Sequence, residues 1–216
     1  MGARLCRTRD SVSELNTLSQ RPAVWALEAV GLSLWGFRPN LMAHFVEQRG
    51  GWAALAWFAS NMPKYERILK TWGPLRTHLV ATVISSINGC PYCTYGHAYA
   101  FGLHFLKETV TVSSMDEAAF INMGKQPDDD VLTDLPHALD QAGLTEDIVF
   151  LERLMVLRKN PAAVESIDDE RLLHLIEMFA ALNTCGINGD VSPGQAHDPI
   201  NRDKAIRERY TALRAA

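Results

Sequence analysis

The chain has 216 residues, of which 47% are hydrophobic and 21% charged, a balance typical of a folded globular protein. Its formal net charge of −4 argues against a nucleic-acid-binding surface, and its apolar stretches are too short or too interrupted to span a membrane. Four cysteines do not make a disulfide scaffold in a chain of this length, and no apolar signal core follows the first charged residues, so we expect a cytoplasmic protein.

Helical signals run through the first third of the chain. Apolar periodicity predicts helices over residues 24–35, 41–48 and 52–59, with short Gly- or Pro-containing breaks between them. A further helix is expected to start at Pro63, because proline is favoured in the first turn, and to end near Gly73. This part of the chain is therefore predicted to be helical almost throughout.

The second half shows the same kind of signal. Ser114 and Glu117 fit a capping box that opens a short helix, which Gly124 closes. Thr145 is the candidate N-cap of the next helix, because a threonine hydroxyl can accept a hydrogen bond from the first turn. The apolar repeat over residues 172–180 predicts one more long helix.

One short β-branched run, residues 109–112, is the only stretch that suggests a strand, and it also fits a loop. No longer alternating pattern demands a sheet. We therefore predict an all-α protein, built as a single helical domain over residues 1–216, with a mostly charged final helix over residues 203–214. Within it, residues 74–106 carry the most informative motif.

That motif begins where an apolar helix over residues 74–87 ends. Gly89 is suited to the left-handed conformation that commonly terminates a helix. Cys90 follows, and the next residue is Pro91; proline is favoured at the first position of a helix. The pattern predicts that Cys90 is the N-cap of a second helix and that Cys93 is its third residue.

Two histidines lie on the same helical face as the cysteines, because Cys90, Cys93, His97 and His104 are three, four and seven residues apart. A helix N-terminus favours a thiolate, but ~1 kcal/mol of stabilisation lowers a thiol pKa by only ~0.7 units. A proton acceptor is therefore needed, and His97 lies one turn from Cys93. The spacing of the cysteines also allows a sulfenic acid on one to be captured by the other.

The segment at residues 88–97, NGCPYCTYGH, closely resembles the AhpD-like alkylhydroperoxidase branch of the carboxymuconolactone decarboxylase superfamily. The resemblance implies an AhpD-like helical bundle that forms a homo-oligomer and uses no metal or other cofactor. It implies that Cys93 attacks a hydroperoxide, that Cys90 resolves the product and that His97 relays a proton. The implied partners are a small hydroperoxide and a dithiol or protein reductant, with no nucleic acid and no membrane.

The sequence departs from that family at one position. The family pattern has a glutamate twelve residues before the first cysteine, and His78 stands there in this chain. A neutral imidazole can accept a proton near pH 7, since its unperturbed pKa is ~6.5, and an imidazolium would favour the thiolate instead. His78 is thus the fourth candidate catalytic residue, alongside Cys93, Cys90 and His97, and it also fits an ordinary helix residue.

The predicted function is a thiol-dependent peroxidase-like oxidoreductase, and three other interpretations stay open. The first is a thiol–disulfide oxidoreductase in which a more exposed Cys90 attacks. The second is a non-catalytic, redox-sensing helical oligomer, which the missing glutamate favours. The third is a zinc site in which Cys185 or His104 joins the two motif cysteines and His97, although the sequence has no second closely spaced pair.

Overall fold

The computed structural model describes residues 9–215, except for the side chains of residues 9–19, 128, 129, 132 and 133. Over this range the chain forms ten α-helices, one 3₁₀ helix and no strand, which confirms the all-α prediction. The helices in chain order are α1 (Arg9–Trp35), α2 (Leu41–Arg49), α3 (Gly51–Trp72), α4 (Pro74–Ile87), α5 (Pro91–Thr109), α6 (Glu117–Met123), α7 (Asp128–Gln141), α8 (Thr145–Lys159), α9 (Ile167–Asn188), the 3₁₀ helix (Pro199–Arg202) and α10 (Lys204–Ala215).

Helix α4 lies at the centre of the molecule. All of its residues from 77 to 86 are buried, and it contacts α3, α5, α6, α8 and α9. A helix that is mainly apolar on all sides is typical of such an interior position. Its buried polar side chains must therefore find partners inside the protein, and His78, in the second turn of α4, is one of them.

Helix α5 packs along α4 and also carries the C-terminal helix. A small apolar cluster joins α5 to the 3₁₀ helix and α10, and it includes Leu103, Ile200 and Tyr210. Gly102 makes the close approach possible, because a Cβ there would lie 2.6 Å from the Tyr210 hydroxyl oxygen. That hydroxyl donates a hydrogen bond of 3.0 Å to Glu117, so α10 is tied to both α5 and α6.

The prediction that a helix starts at Pro63 is wrong, because α3 runs through this residue without a break. A proline inside a helix costs about 3 kcal/mol relative to alanine. Packing on both sides offsets this cost: Trp57 and Phe58 contact Phe45 before the proline, and Ile68 is buried after it. Tertiary contacts thus override the local preference.

Two predicted caps are also wrong. Helix α6 is capped by Asp116 and not by Ser114, since the Asp116 carboxylate accepts the N–H of Ala119 at 2.7 Å. The hydroxyl of Thr145 donates to Asp140 at 3.0 Å and does not cap α8. At α6 a neighbouring residue of the same segment takes the capping role, and at α8 the hydroxyl has another partner.

The β-branched run at residues 109–112 forms neither a strand nor a continued helix. Helix α5 ends at Thr109, and Val110 adopts the left-handed conformation with a φ of 67°. Gly124 does close α6, and the final charged helix is present as α10, as predicted. No helix in the described part of the chain combines the length and the apolar character needed to cross a membrane.

Candidate functional site

The two cysteines of the motif lie at the start of α5. Gly89 turns the chain with a φ of 74°, and Cys90 is the N-cap of α5 with an extended backbone. The backbone N–H of Cys93 points at the Cys90 sulfur at 3.5 Å, as expected for an N-cap and the third helical residue. The local geometry predicted for the dithiol is therefore confirmed.

Helix α9 covers the dithiol through a glycine. A Cβ at Gly186 would lie 2.7 Å from the Cys90 sulfur and 3.9 Å from the Cys93 sulfur, so no larger residue fits there without displacing a thiol. Cys90 and Cys93 are 1% and 2% exposed, and both are free thiols. The interpretation in which Cys90 is the more exposed sulfur is not supported by this burial.

The two thiols differ in acidity. The pKa of Cys90 is lowered, first because the Cys93 thiol donates a hydrogen bond to it; burial opposes this, and the backbone N–H groups of Cys93 and Tyr92 reinforce it. The pKa of Cys93 is raised, by its hydrogen bond to Cys90 and then by burial. Negative charge on the reduced pair is therefore held mainly by the N-cap sulfur, where the helix dipole also favours it.

A chain of hydrogen bonds leads away from His97. Its Nδ1 lies 3.1 Å from Nδ1 of His78, and Nε2 of His78 lies 2.9 Å from Oδ2 of Asp198. Oδ1 of Asp198 accepts hydrogen bonds from Nε2 of His104 at 3.0 Å and from the backbone N–H of Ile200 at 2.8 Å. The carboxylate missing from the motif is thus provided by a residue 120 positions further along the chain.

The chain of hydrogen bonds fixes where the protons lie. Burial alone would raise the pKa of the Asp198 carboxyl, but hydrogen bonds from His104 and His78 lower it far more, so Asp198 is ionised and can only accept. His78 therefore donates from Nε2, and when neutral it accepts at Nδ1. His97 must then carry its proton on Nδ1, which leaves a lone pair on its Nε2.

Burial also keeps His97 neutral. It lowers the pKa of His97 well below the usual value, the neighbouring His197 and His78 act in the same direction, and Asp198 opposes them. A neutral imidazole with a free lone pair is a proton acceptor at neutral pH. His97 therefore has the neutral form that a proton acceptor for Cys93 needs.

His197 forms a wall of the site. Its ring lies 4.8 Å from the Tyr92 ring and 5.2 Å from the His97 ring, between centroids. The ring packs against α5 at Gly96, where a Cβ would lie 2.3 Å from the nearest ring atom. The backbone N–H of His197 donates a hydrogen bond of 3.0 Å to the Gly96 carbonyl oxygen. Burial, and then the neighbouring His78, lowers the pKa of His197 to about 3, so this wall is uncharged.

A small cavity of about 50 Å³ reaches one of the two sulfurs. Cys93, His97 and His197 all line it, while Cys90 does not. Its other walls are Trp35, Pro39, Leu41, Met42, Phe58, Met62, Tyr65, Tyr92, Met178, Phe179 and Leu182. The cavity is thus largely apolar, with a thiol and an imidazole on the same surface.

The structure brings the four predicted site residues together in two contacts, Cys90 with Cys93 and His78 with His97. The sequence did not identify Asp198 or His197, which come from the Gly- and Pro-rich stretch before α10. The only local signal there is an aspartate before a proline, which is a common N-cap for a short helix. His104, which the spacing placed on the same helical face as His97, contacts the same carboxylate as His78.

No family model, curated protein or solved structure matches this chain. The resemblance of residues 88–97 to the AhpD-like branch remains an interpretation of the motif, and the roles it implies are proposals. The homo-oligomer and the cytoplasmic location also stay predictions. The geometry of the site has to support its function by itself.

Proposed function

We propose that this protein is a thiol-dependent peroxidase that reduces hydroperoxides through Cys93 and Cys90. One observation carries the proposal: a single small cavity is lined by one sulfur of a buried dithiol and by a neutral imidazole. Such a cavity admits a hydroperoxide group to Cys93 while the second sulfur lies behind it. The arrangement suits a two-step oxidation that ends in a disulfide.

In the first step, the Cys93 thiol gives its proton to Nε2 of His97 as the hydroperoxide binds. The sulfur attacks the terminal oxygen of the hydroperoxide, an S–O bond forms, and the O–O bond breaks. The leaving alkoxide takes a proton from His97 and departs as an alcohol, which leaves Cys93 as a sulfenic acid. The raised pKa of Cys93 makes this base necessary.

In the second step, the Cys90 thiolate attacks the sulfur of the sulfenic acid. An S–S bond forms, the S–O bond breaks, and the hydroxide leaves as water by taking up a proton that balances the one lost from the Cys90 thiol. The backbone N–H groups of Cys93 and Tyr92 lower the pKa of Cys90 independently of the Cys93 thiol, which suits this role because the resolving sulfur must be anionic to attack. A dithiol or a protein reductant then restores both thiols by thiol–disulfide exchange.

His78 and Asp198 are proposed to hold His97 in its working tautomer. The ionised carboxylate fixes the proton on Nε2 of His78, and His78 in turn accepts from Nδ1 of His97. When His97 takes a proton at Nε2, the same carboxylate stabilises the resulting positive charge across two imidazoles. His78 and Asp198 are therefore positioning residues, and His97 is the residue that moves the proton.

The organic part of the hydroperoxide has an apolar region available next to the cavity. A larger cavity of about 280 Å³ shares five walls with the smaller one: Trp35, Pro39, Met42, Phe58 and Met62. Its remaining walls are apolar side chains of α1 and α3 together with Gly31. We propose that the alkyl group of the substrate lies on this side.

A thiol–disulfide oxidoreductase is the second candidate, because the N-cap cysteine is the more acidic of the two. Burial weighs against a protein substrate, since a disulfide on another protein must reach a sulfur that is 1% exposed. A small disulfide would have to enter through the cavity, which Cys90 does not line. The peroxidase is therefore the function that the geometry supports best.

The test compares hydroperoxide consumption by the wild type with that of Cys93→Ser and Cys90→Ser, in the presence of a small dithiol. Wild type should turn over, and Cys93→Ser should be inactive. Cys90→Ser should consume one equivalent and accumulate a sulfenic acid that a dione probe traps on Cys93. Cys185→Ser is the matched control and should turn over like wild type.

Three results would contradict the proposal. Equal and negligible consumption by the wild type and Cys93→Ser would remove the peroxidase. Turnover of a small disulfide without any turnover of hydroperoxide would favour the oxidoreductase. A sulfenic acid trapped on Cys90 in the Cys93→Ser variant would reverse the roles of the two sulfurs.

A further inference from the structure

Asp198 holds two imidazoles on one carboxylate group. His78 Nε2 lies 2.9 Å from Oδ2, and His104 Nε2 lies 3.0 Å from Oδ1. One ligand atom from each of the three residues lies within 4.8 Å of the others. This cluster contains neither cysteine of the motif, so it differs from the zinc site that the sequence suggested.

The charges in the cluster are incomplete. Asp198 is 4% exposed, and among the described side chains its ion-pair partners are His78 and His104, neither of which is an arginine or a lysine. A buried carboxylate normally has a permanent positive charge beside it or coordinates a metal. A divalent cation bound between the carboxylate and the two imidazoles would supply a permanent positive charge.

The donor set suits a first-row divalent metal. Two imidazole nitrogens and one carboxylate oxygen are ligands that Zn²⁺ accepts, at about 2.0–2.2 Å from the ion. Around a tetrahedral ion such ligand atoms lie about 3.3–3.5 Å apart. The two hydrogen-bonded separations, 2.9 Å to Oδ2 and 3.0 Å to Oδ1, need to open by a few tenths of an ångström. Any wider separation in the cluster, which stays within 4.8 Å, has to close around the ion. The second nitrogen of His78 is already bonded to His97, which supplies the outer contact that ligating histidines usually have.

We propose that His78, His104 and Asp198 form a Zn²⁺ site, with a water molecule as the fourth ligand. The ion binds Nε2 of each histidine and one oxygen of the carboxylate. The His78 side chain is completely buried and that of His104 is 12% exposed, so the ion enters from the His104 side. Binding displaces the protons that now join the imidazoles to the carboxylate.

Occupancy of this site would reverse the tautomer of His97, a consequence that rests on the proposed function. A metal on Nε2 of His78 leaves its proton on Nδ1, which then donates to Nδ1 of His97. His97 must carry its own proton on Nε2 and can no longer accept one from Cys93. Zinc bound at this site therefore stops His97 from acting as the base, although the ion does not bind either sulfur.

Binding is tested by titrating Zn²⁺ into the Cys90→Ser/Cys93→Ser variant, followed by calorimetry, so that the motif thiols cannot bind the ion. One ion per chain should bind. Adding His104→Gln, which keeps a donor to Asp198, should weaken binding at least about tenfold. Adding His137→Gln, at an exposed histidine of α7, should leave binding unchanged. No binding, or equal binding after His104→Gln, overturns the site.

A second measurement does not depend on how the His104 variant folds. In ¹⁵N spectra of the histidine rings, Zn²⁺ should move Nε2 of His78 and His104 to the metal-bound position and leave His197 unmoved. Shifts confined to other histidines would overturn the assignment. In activity assays with intact thiols, the ratio of hydroperoxide turnover with and without Zn²⁺ should fall for wild type and stay closer to one for His104→Gln.

These readouts separate the two proposals. If Zn²⁺ binds as expected and wild type consumes no hydroperoxide, the metal site stands and the peroxidase fails. If wild type turns over and the titration shows no binding at His104, the metal site fails and the peroxidase stands.

Discussion

Two regions build the site, and they differ in how they reach it. The dithiol and His97 come from eight consecutive residues at the start of α5, where a helix N-terminus and a turn at Gly89 fix their positions. Asp198 and His197 come from an irregular segment before the 3₁₀ helix, placed against α5 by the backbone contact to Gly96. The first region provides the two sulfurs. The second provides the negative charge of Asp198 and, in His197, one wall of the cavity.

The comparison teaches that a short motif can carry the nucleophiles of a site without carrying their control. Nothing in residues 88–97 fixes the tautomer of His97; that depends on His78 and, through it, on Asp198. A missing acidic residue at the motif position therefore does not imply a missing carboxylate.

Asp198→Asn is the sharpest way to disturb the remote region alone. The amide can donate to Nε2 of His78, which would reverse both tautomers, and it removes the charge that stabilises a protonated His97. Acid–base assistance typically contributes 10²–10⁴-fold, so kcat/KM for hydroperoxide should fall on the order of 10²-fold. Steady-state kinetics of purified protein would measure it.

Asp190→Asn is the matched control, because this exposed residue lies in the same polar segment and already adopts a left-handed conformation that asparagine tolerates. It should leave kcat/KM unchanged. If Asp198→Asn is as active as Asp190→Asn, the remote region does not serve the dithiol, and the two regions are only neighbours.

Gly186→Ala disturbs the dithiol region through the helix that covers it. The new methyl group would lie 2.7 Å from the Cys90 sulfur, so the thiol or α9 must move. Overpacking of this kind costs about 1–3 kcal/mol in the free energy of unfolding. Denaturant unfolding would measure the loss, and alkylation of the thiols should become faster because the cover no longer fits.

Gly194→Ala is the control for this change. It lies in the remote segment, and no atom stands within 4 Å of the added Cβ. The unfolding midpoint should stay within the scatter of wild type. Equal stability of Gly186→Ala and Gly194→Ala would mean that α9 does not seal the sulfurs.

The last expected effect is a change of slope with pH, and it concerns the remote region. The pKa of His197 is depressed from 6.5 to about 3 by burial and then by His78, so the folded protein binds fewer protons than the unfolded chain between these values. Its contribution to stability is complete above pH 6.5 and is lost as the pH falls toward 3. His197→Phe should reduce the slope of unfolding free energy against pH in this window by up to ~1.4 kcal/mol per pH unit.

Urea unfolding of wild type and His197→Phe at several pH values would give both slopes. Some slope should remain in the variant, because burial also depresses the pKa of His97. Identical slopes for wild type and His197→Phe would mean that burial does not lower the pKa of His197 in the folded protein.

The sequence was informative wherever the determining interactions are local. The cap at Cys90, the left-handed turn at Gly89 and the helical character of the chain follow from neighbours within a few residues. The unbroken course of α3 through Pro63 does not, because it depends on aromatic packing against α2. The capping roles of Asp116 and Thr145 are decided among several nearby polar groups, and the sequence pattern alone did not select between them.

The remote half of the site could not be predicted for the same reason. Asp198 and His197 belong to no periodic pattern, and their link to His78 and His97 exists only after α5 and the following segment have packed together. His104 was placed on the correct helix face by its spacing, yet spacing could not show that it shares a carboxylate with His78.

Peptide mapping of the reduced wild-type protein after one equivalent of an organic hydroperoxide tests the central claim most directly. We expect a disulfide between Cys90 and Cys93, formed before any change at the third buried cysteine, Cys185. Recovery of both motif thiols unmodified, or a first oxidation at Cys185, would contradict it.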